Sequence, residues 1–332
     1  MSNWNVIGHE WAVNLLRRQL LRKAFSHAYL FTGPAGVGRR TLALGFVRAL
    51  VCPQPPEPGV PCGVCRTCRQ IEAMRYPDLV IVQAEKEGGV LRVEQVREVR
   101  QSLVLKPYQG EYRFALFLRF HESNPSAANA LLKTLEEAPS HAILLLTADT
   151  PEALLPTIVS RCQVVRLRSL PLQTLETALR ERGATPEQAR LLAHLSDGRP
   201  GLALRFLADS SLLDFRRQRL EELRDLLGSS RVERFAYAER LSDRRHAERE
   251  RLRETLALWL TWWRDVMRIA SGASIPVVNL EYRSDLETLA AQLGVAGARH
   301  LVVQAERAIR QLDANVNPRL LTEVVLLDWP RL

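Results

Sequence analysis

Residues His27–Thr41 read HAYLFTGPAGVGRRT: an apolar run, a glycine-rich turn, then a run of helical periodicity. A strand that feeds a glycine-rich turn at a helix N-terminus is the setting in which backbone N–H groups cradle phosphate. The full phosphate-loop pattern is G-x-x-x-x-G-K-[ST]. Here Gly33, Gly36 and Gly38 are in place, but Arg39 stands at the lysine position and Arg40 at that of the magnesium-holding hydroxyl. Thr41 comes one residue late, about 100° further round a helix. A guanidinium cannot ligate a cation. The stretch therefore reads as a phosphate loop by descent that lacks magnesium-dependent hydrolysis; a tight strand-to-helix turn that binds nothing is the alternative.

Outward from this stretch, four more apolar runs read as strands: Leu79–Gln83, Arg113–Leu118, Ala142–Thr147 and Gln163–Leu167. Helical patterns at 9–24, 39–51, 93–104, 126–137 and 151–158 alternate with them. Near-continuous apolar strands suit a parallel sheet covered on both faces, and the alternation predicts a doubly wound, three-layer α/β domain over residues 1–169. After Leu170 the strands stop. Residues 170–208 read as a small lid of short helices, punctuated by Pro171, Pro186 and the Gly198–Gly201 turn. Residues 209–332 read as an all-α domain with turns at Gly272–Pro276 and Gly294–Gly297. Trp259, Trp262 and Trp263 fall at i, i+3, i+4, the spacing of a core or subunit-packing stripe rather than of a base-stacking platform. So large an aromatic surface is expected to serve assembly.

A nucleotide-hydrolysing site also needs carboxylates at the end of a neighbouring strand. The candidate strand instead runs out as Leu118-Arg119-Phe120-His121-Glu122, with Glu122 too far past its end. Both halves of the site lack their magnesium-holding groups. Composition adds exclusions. The chain has 332 residues, 46% apolar and 25% charged, an ordinary globular balance for two or three domains. It contains no run of 18 apolar residues and no basic-then-apolar leader, so no membrane span is expected and a cytoplasmic location is. The net charge of +9 is spread along the chain and only four of its cations are lysines, which permits a nucleic-acid partner without requiring one.

Four of the five cysteines, Cys52, Cys62, Cys65 and Cys68, cluster around a proline-rich loop. Four thiolates at this spacing predict a closed structural zinc site in a module over about 52–78. Buried apolar cysteines, a redox C-x-x-C and an iron–sulfur cluster are the alternatives; the first suits a proline-rich loop poorly, and the second leaves two thiols unexplained. Cys162 reads as a small buried hydrophobe. Arg161, between a helix and the last strand, is either a plain surface residue or a finger reaching a neighbouring subunit's nucleotide. His27, His121 and His141 show no ligand pairing.

The segments GPAGVGRRT, CGVCRTC followed by YPDL, ANALLKTLEEAP, LLPTIVSRCQ, DGRPGLAL and NVNPRLLTEVVLLD together resemble the bacterial DNA polymerase III clamp-loader subunits, a branch of the AAA+ proteins. The resemblance runs from about Asn5 to the C-terminus. It implies an AAA+ phosphate-loop domain with a zinc-module insertion, a helical lid and an all-α collar domain that builds a ring. Gamma/tau subunits carry intact hydrolytic motifs. In this chain the paired acids of that motif fall on Leu118 and Arg119, and the lid's sensor-2 arginine falls on Gly201. Thr147 keeps the sensor-1 position, and the SRC arginine survives as Arg161. That asymmetry resembles the delta-prime type: a non-hydrolysing subunit that supplies Arg161 to ATP held by a neighbour. Its own nucleotide-site residues, Gly33, Gly36, Gly38, Arg39, Thr41 and Thr147, would be vestigial. The implied partners are gamma/tau-type and delta-type subunits and, through the complex, the sliding clamp and primed DNA. DNA-directed polymerase activity would belong to the holoenzyme. An active gamma/tau-type ATPase and an autonomous zinc-dependent DNA-binding protein are the competing functions.

Overall fold

A computed structural model of the chain describes residues 4–85, 89–241, 246–314 and 316–331, the side chains of 246–248 excepted. Contacts divide it into two compact units: residues 1–182 with 198–202, and residues 183–197 with 203–332.

The first unit contains α1 (Glu10–Leu21), β1 (Ala28–Thr32), α2 (Arg39–Val51), α3 (Arg66–Glu72), β2 (Leu79–Val82), α4 (Val93–Val104), β3 (Arg113–Phe117), α5 (Pro125–Glu136), β4 (Ala142–Ala148), α6 (Pro156–Val159), β5 (Gln163–Arg166) and α7 (Leu172–Arg180). All five strands are parallel, in the order β2-β3-β4-β1-β5. Alternate side chains of a strand face opposite layers. Tyr29, Phe31, Phe114, Leu116, Ile143 and Leu145 pack with α1 and α2 on one face. Ala28, Leu30, Ala115, Phe117, Leu144 and Leu146 pack with α4 and α5 on the other. This is the three-layer α/β class expected of an AAA+ domain. Central β1 is buried at every residue, and the register pairs Phe31 with both Thr147 and Val165. The ends of β1, β3 and β4 therefore gather Gly33, Leu118 and Thr147 at the carboxyl edge of the sheet, where ligands of open α/β sheets bind.

One helical expectation is corrected. Residues 151–158 form two short turns, Pro151–Ala153 and Pro156–Val159, rather than one helix. Each proline takes the first position of its own turn, where its missing N–H costs nothing, and Pro156 forces the residue before it into extended backbone.

Beyond α7 come α8 (Pro186–Leu195), α9 (Pro200–Ala208), α10 (Ser211–Gly228), α11 (Arg231–Leu241), α12 (His246–Ala270), α13 (Arg283–Asp313) and α14 (Pro318–Leu327). The turn expected at Gly294–Gly297 is a kink within α13, where Gly294 adopts φ 59° and ψ −176°. The tryptophan stripe also departs from expectation. Trp259, Trp262 and Trp263 are 1%, 0% and 0% exposed and fill the second unit's own core. Trp329 meets Trp259 and Trp263 edge-on at 4.7 and 5.4 Å between ring centres. The stripe is therefore no assembly surface.

Arg234, on α11, is a buried cation in this core. Its Nε donates to Leu226 O, its Nη1 to Leu326 O and Trp329 O, and its Nη2 to Leu227 O and Pro330 O, at 2.8–3.2 Å. All five guanidinium protons are used. Three of the acceptors lie in the last turns of α10 and α14, where carbonyls have no partner within the helix and the macrodipole favours a cation.

Candidate functional site

The cysteine cluster is built by two helix ends and one turn. Cys52 follows α2, Cys65 caps α3 and Cys68 lies within it. Gly63 holds φ +76°, a backbone conformation that turns Cys62 back toward Cys65. Backbone N–H groups point at the sulfurs: Cys62 N to Cys52 Sγ, Cys65 N to Cys62 Sγ and Cys68 N to Cys65 Sγ, at 3.3–3.4 Å. Such donors favour thiolate, and those of Cys65 and Val64 bring the Cys62 thiol down to about 6. All four Sγ atoms lie within 4.8 Å of one another, and Cys62 and Cys68 are 3.9 Å apart. A tetrahedral ion with metal–sulfur bonds of about 2.3 Å has sulfur edges of about 3.8 Å. The residues fit a four-thiolate metal. The proline-rich loop is itself anchored: Arg17 pairs with Glu57 at 2.6 Å, and Trp4 Nε1 donates to Gly59 O at 3.1 Å.

At the sheet edge, Gly33, Gly36 and Gly38 hold φ of 142°, 83° and 112°. A Cβ on Gly33 would lie 2.4 Å from Leu167 O, so only glycine fits there. Arg39 opens α2, and its side chain is directed into an ion pair: Nη1 meets Asp149 Oδ1 at 2.6 Å, with the arginine 8% exposed. Asp149 also accepts the Gly33 N–H through its backbone oxygen at 3.0 Å, and His121 Nε2 lies 3.7 Å from its other carboxylate oxygen. Thr147 Oγ1 accepts from Arg119 N at 2.8 Å. Leu118 is buried, and Arg119, in left-handed backbone at φ 50°, pairs with Glu122 at 2.9 Å. The strand end thus offers an apolar group and an internally paired cation where hydrolysis needs carboxylates. Thr41 lies half-buried in the first turn of α2.

The other wall of the loop is α9. Gly201 N donates to Gly36 O at 2.7 Å, and a Cβ on Gly201 would lie 2.8 Å from that oxygen. With Pro200 at the first helical position, this bond satisfies one of the N–H groups a helix start leaves open. Sequence reading missed Asp149, whose signal was an acid immediately after β4, and missed the close approach that makes residue 201 a glycine.

Arg161 follows α6. Its Nη1 donates to Thr157 O at 3.0 Å and its Nη2 meets Glu136 Oε1 at 2.6 Å, with 38% of the side chain exposed. Cys162 packs against the sheet core, and burial pushes its thiol up to about 12. The conspicuous YPDL segment is structural. Buried Asp78 accepts from Tyr108 N and Gln109 N at 2.6 and 2.7 Å and lies 3.5 Å from Arg113 Nε, pinning the connection into β3.

Residues 8–171 match the family model described as DNA polymerase III, delta subunit, and 214–331 match that subunit's C-terminal model. A delta' subunit of DNA polymerase III from Bacillus subtilis is 26% identical over 316 residues, covering 95% of this chain and 94% of that one. This chain belongs to the delta-prime family of DNA polymerase III subunits. A delta' subunit from Pseudomonas aeruginosa is 37% identical over 211 residues, 62% of this chain and 63% of that one. The tau subunit of Bacillus subtilis is 34% identical over 171 residues, which are 52% of this chain and 30% of that longer protein. No helix among the described residues is long and apolar enough to cross a membrane.

Proposed function

We propose that this chain is a non-hydrolysing subunit of a clamp loader, which presents Arg161 to ATP held by a neighbouring gamma/tau-type subunit. The observation that carries the reading is the state of its own loop. Arg39, at the lysine position, is paired with Asp149, and Gly201 closes on Gly36 where a phosphate-sensing arginine would otherwise reach in. Arg161 is the converse case. It is partly exposed and held by one surface ion pair, worth at most about 1 kcal/mol, and one bond to Thr157 O, both of which can be exchanged for a phosphate. A guanidinium offers planar donors and a permanent charge to the transferring phosphoryl group.

In this reading residues 1–169 form the AAA+ domain, 170–208 the lid and 209–332 the collar. Cys52, Cys62, Cys65 and Cys68 would hold one structural zinc, which ties the insertion together and leaves no open position for chemistry. Gamma/tau-type and delta-type subunits are the direct partners, with sliding clamp and primed DNA engaged through the complex. The competing reading, an active gamma/tau-type ATPase, needs magnesium ligands that neither Arg40 nor Leu118 can supply.

The test is reconstitution with gamma/tau-type and delta-type subunits. The isolated chain should turn over no ATP above background. Complexes carrying Arg161→Ala should assemble normally and hydrolyse ATP more slowly on primed DNA with clamp, and Arg161→Lys should rescue poorly. Unchanged turnover by assembled mutant complexes would make Arg161 a plain surface residue.

A further inference from the structure

Helix α3 does more than supply two cysteines. Arg66, Arg69, Gln70 and Ala73 fall at i, i+3, i+4 and i+7, a single flank of the helix. The chain then reverses. Met74 takes left-handed backbone at φ 56°, and Arg75 N returns to Gln70 O at 2.7 Å, which brings Arg75 back beside that flank. Arg66, Arg69, Gln70, Ala73 and Arg75 line one open cleft of about 360 Å³.

Among the described residues no carboxylate pairs with Arg66, Arg69 or Arg75. The neighbouring acids are engaged elsewhere: Glu72 with Arg48 at 3.7 Å and with Asn5 Nδ2 at 3.1 Å, and Glu57 with Arg17. Three exposed guanidiniums on one cleft repel one another. The cleft is therefore a positive face without carboxylate partners, set beside a thiolate cluster whose filled site would carry two negative charges.

We infer that the α3 cleft binds the phosphodiester backbone of a nucleic acid. The donor set points to this class. Arginine side chains offer only donors in planar forks, and phosphate oxygens are only acceptors, which permits bidentate pairing. No aromatic side chain lines the cleft, so it has no platform for base stacking, and binding is to the backbone and without sequence preference. An acidic peptide fits less well. Its own backbone N–H groups need acceptors, and Gln70, the one neutral polar side chain of the lining, has its Oε1 buried. The inference concerns a surface apart from the phosphate loop and Arg161, and does not depend on either.

The experiment uses the full chain with its metal content verified, and fluorescence anisotropy of a labelled 20-base-pair duplex and the matching single strand over a salt series. Non-specific binding in the range of about 10⁻⁴–10⁻⁶ M is expected, with log affinity linear in log salt. Arg66→Ala/Arg69→Ala/Arg75→Ala should lower the slope by about 2–3, close to one for each phosphate that is no longer neutralised. A control with equal charge loss, Arg180→Ala/Arg182→Ala/Arg190→Ala, should keep the slope. Arg66→Lys/Arg69→Lys/Arg75→Lys should keep the slope with weaker binding, and guards against a variant that fails to fold. Whichever strand form shows the arginine-dependent slope is the form bound. An unchanged slope in the alanine variant would overturn the inference. So would equal losses in variant and control, or arginine-dependent binding of poly-glutamate without any of DNA.

Discussion

Replacing Arg234 by alanine should cost the C-terminal unit about 3–5 kcal/mol, since each carbonyl left buried without a donor costs about 1–3 kcal/mol and only some of them can find another. The magnitude follows from the five bonds. Hydrogen bonds to a charged group contribute roughly 1.5–3 kcal/mol net when each stands alone. They are not additive, because the same cation makes all of them. The cost of burial is visible in the cation itself, whose pKa is lowered first by burial and then by the nearby charge of Arg331. What remains after the mutation is five buried carbonyls from α10, α14 and the segment that follows. Arg234→Met should be nearly as damaging, since it restores volume without donors. Arg234→Lys should fall between, because an ammonium has three protons for five acceptors. Urea unfolding followed by tryptophan fluorescence is the assay, since Trp259, Trp262, Trp263 and Trp329 all sit in this core. With a slope of about 2–3 kcal/mol per molar urea, the alanine midpoint should fall by about 1–2.5 M. A midpoint within about 0.3 M of the parent, or a lysine variant no better than alanine, would refute the reasoning.

Three further outcomes are expected. Chelation should release one metal per chain and raise hydrogen exchange within 52–78, while tryptophan fluorescence of the C-terminal core stays unchanged; elemental analysis finding no metal on protein purified without chelator would contradict the site. His9, buried with Nε2 at 3.1 Å from Val37 O, has its pKa lowered by burial, so the unfolded chain binds the proton more readily. Stability of the first unit should therefore be full above about pH 6.5 and fall as the pH drops from there toward the lowered folded value, and His9→Gln should flatten that slope in thermal melts. Gly201→Ala places a Cβ against Gly36 O and should cost about 1–3 kcal/mol; exchange at the Gly201 amide should rise, and an unchanged rate would show that the loop yields freely.

The sheet was legible because its strands are buried on both faces and so read as unbroken apolar runs; β1, all five residues of it buried, is the clearest case. The cysteine cluster was legible because its chemistry is local in sequence. Pairings across the sheet edge were not. Asp149 is 110 residues from Arg39, and no periodicity marks a carboxylate whose partner is set by strand order. The tryptophans misled for a related reason: spacing identifies a stripe, but whether its partner is a second chain or Trp329 depends on where the chain's own end returns. The split at Pro156 could have been read, since a proline six residues into a short helical pattern outweighs the apolar spacing around it.

The Gly201–Gly36 bond also bears on how this sequence can change. An N–H bonded at 2.7 Å to a carbonyl, with a Cβ excluded at 2.8 Å, leaves residue 201 no single-step route to any side chain unless the loop moves first. The loop in turn is tied at Gly33, where Leu167 O excludes a Cβ at 2.4 Å, and at Arg39, whose ion pair with Asp149 would be broken by most replacements. Gly201 and Arg39 are thus each held by a partner on another segment, and Gly33 by the strand end beside it. A change at residue 39 or 201 is therefore felt first as lost stability, before any effect on what the loop can hold. The contacts of the loop thus set which neighbouring sequences this fold can reach one substitution at a time.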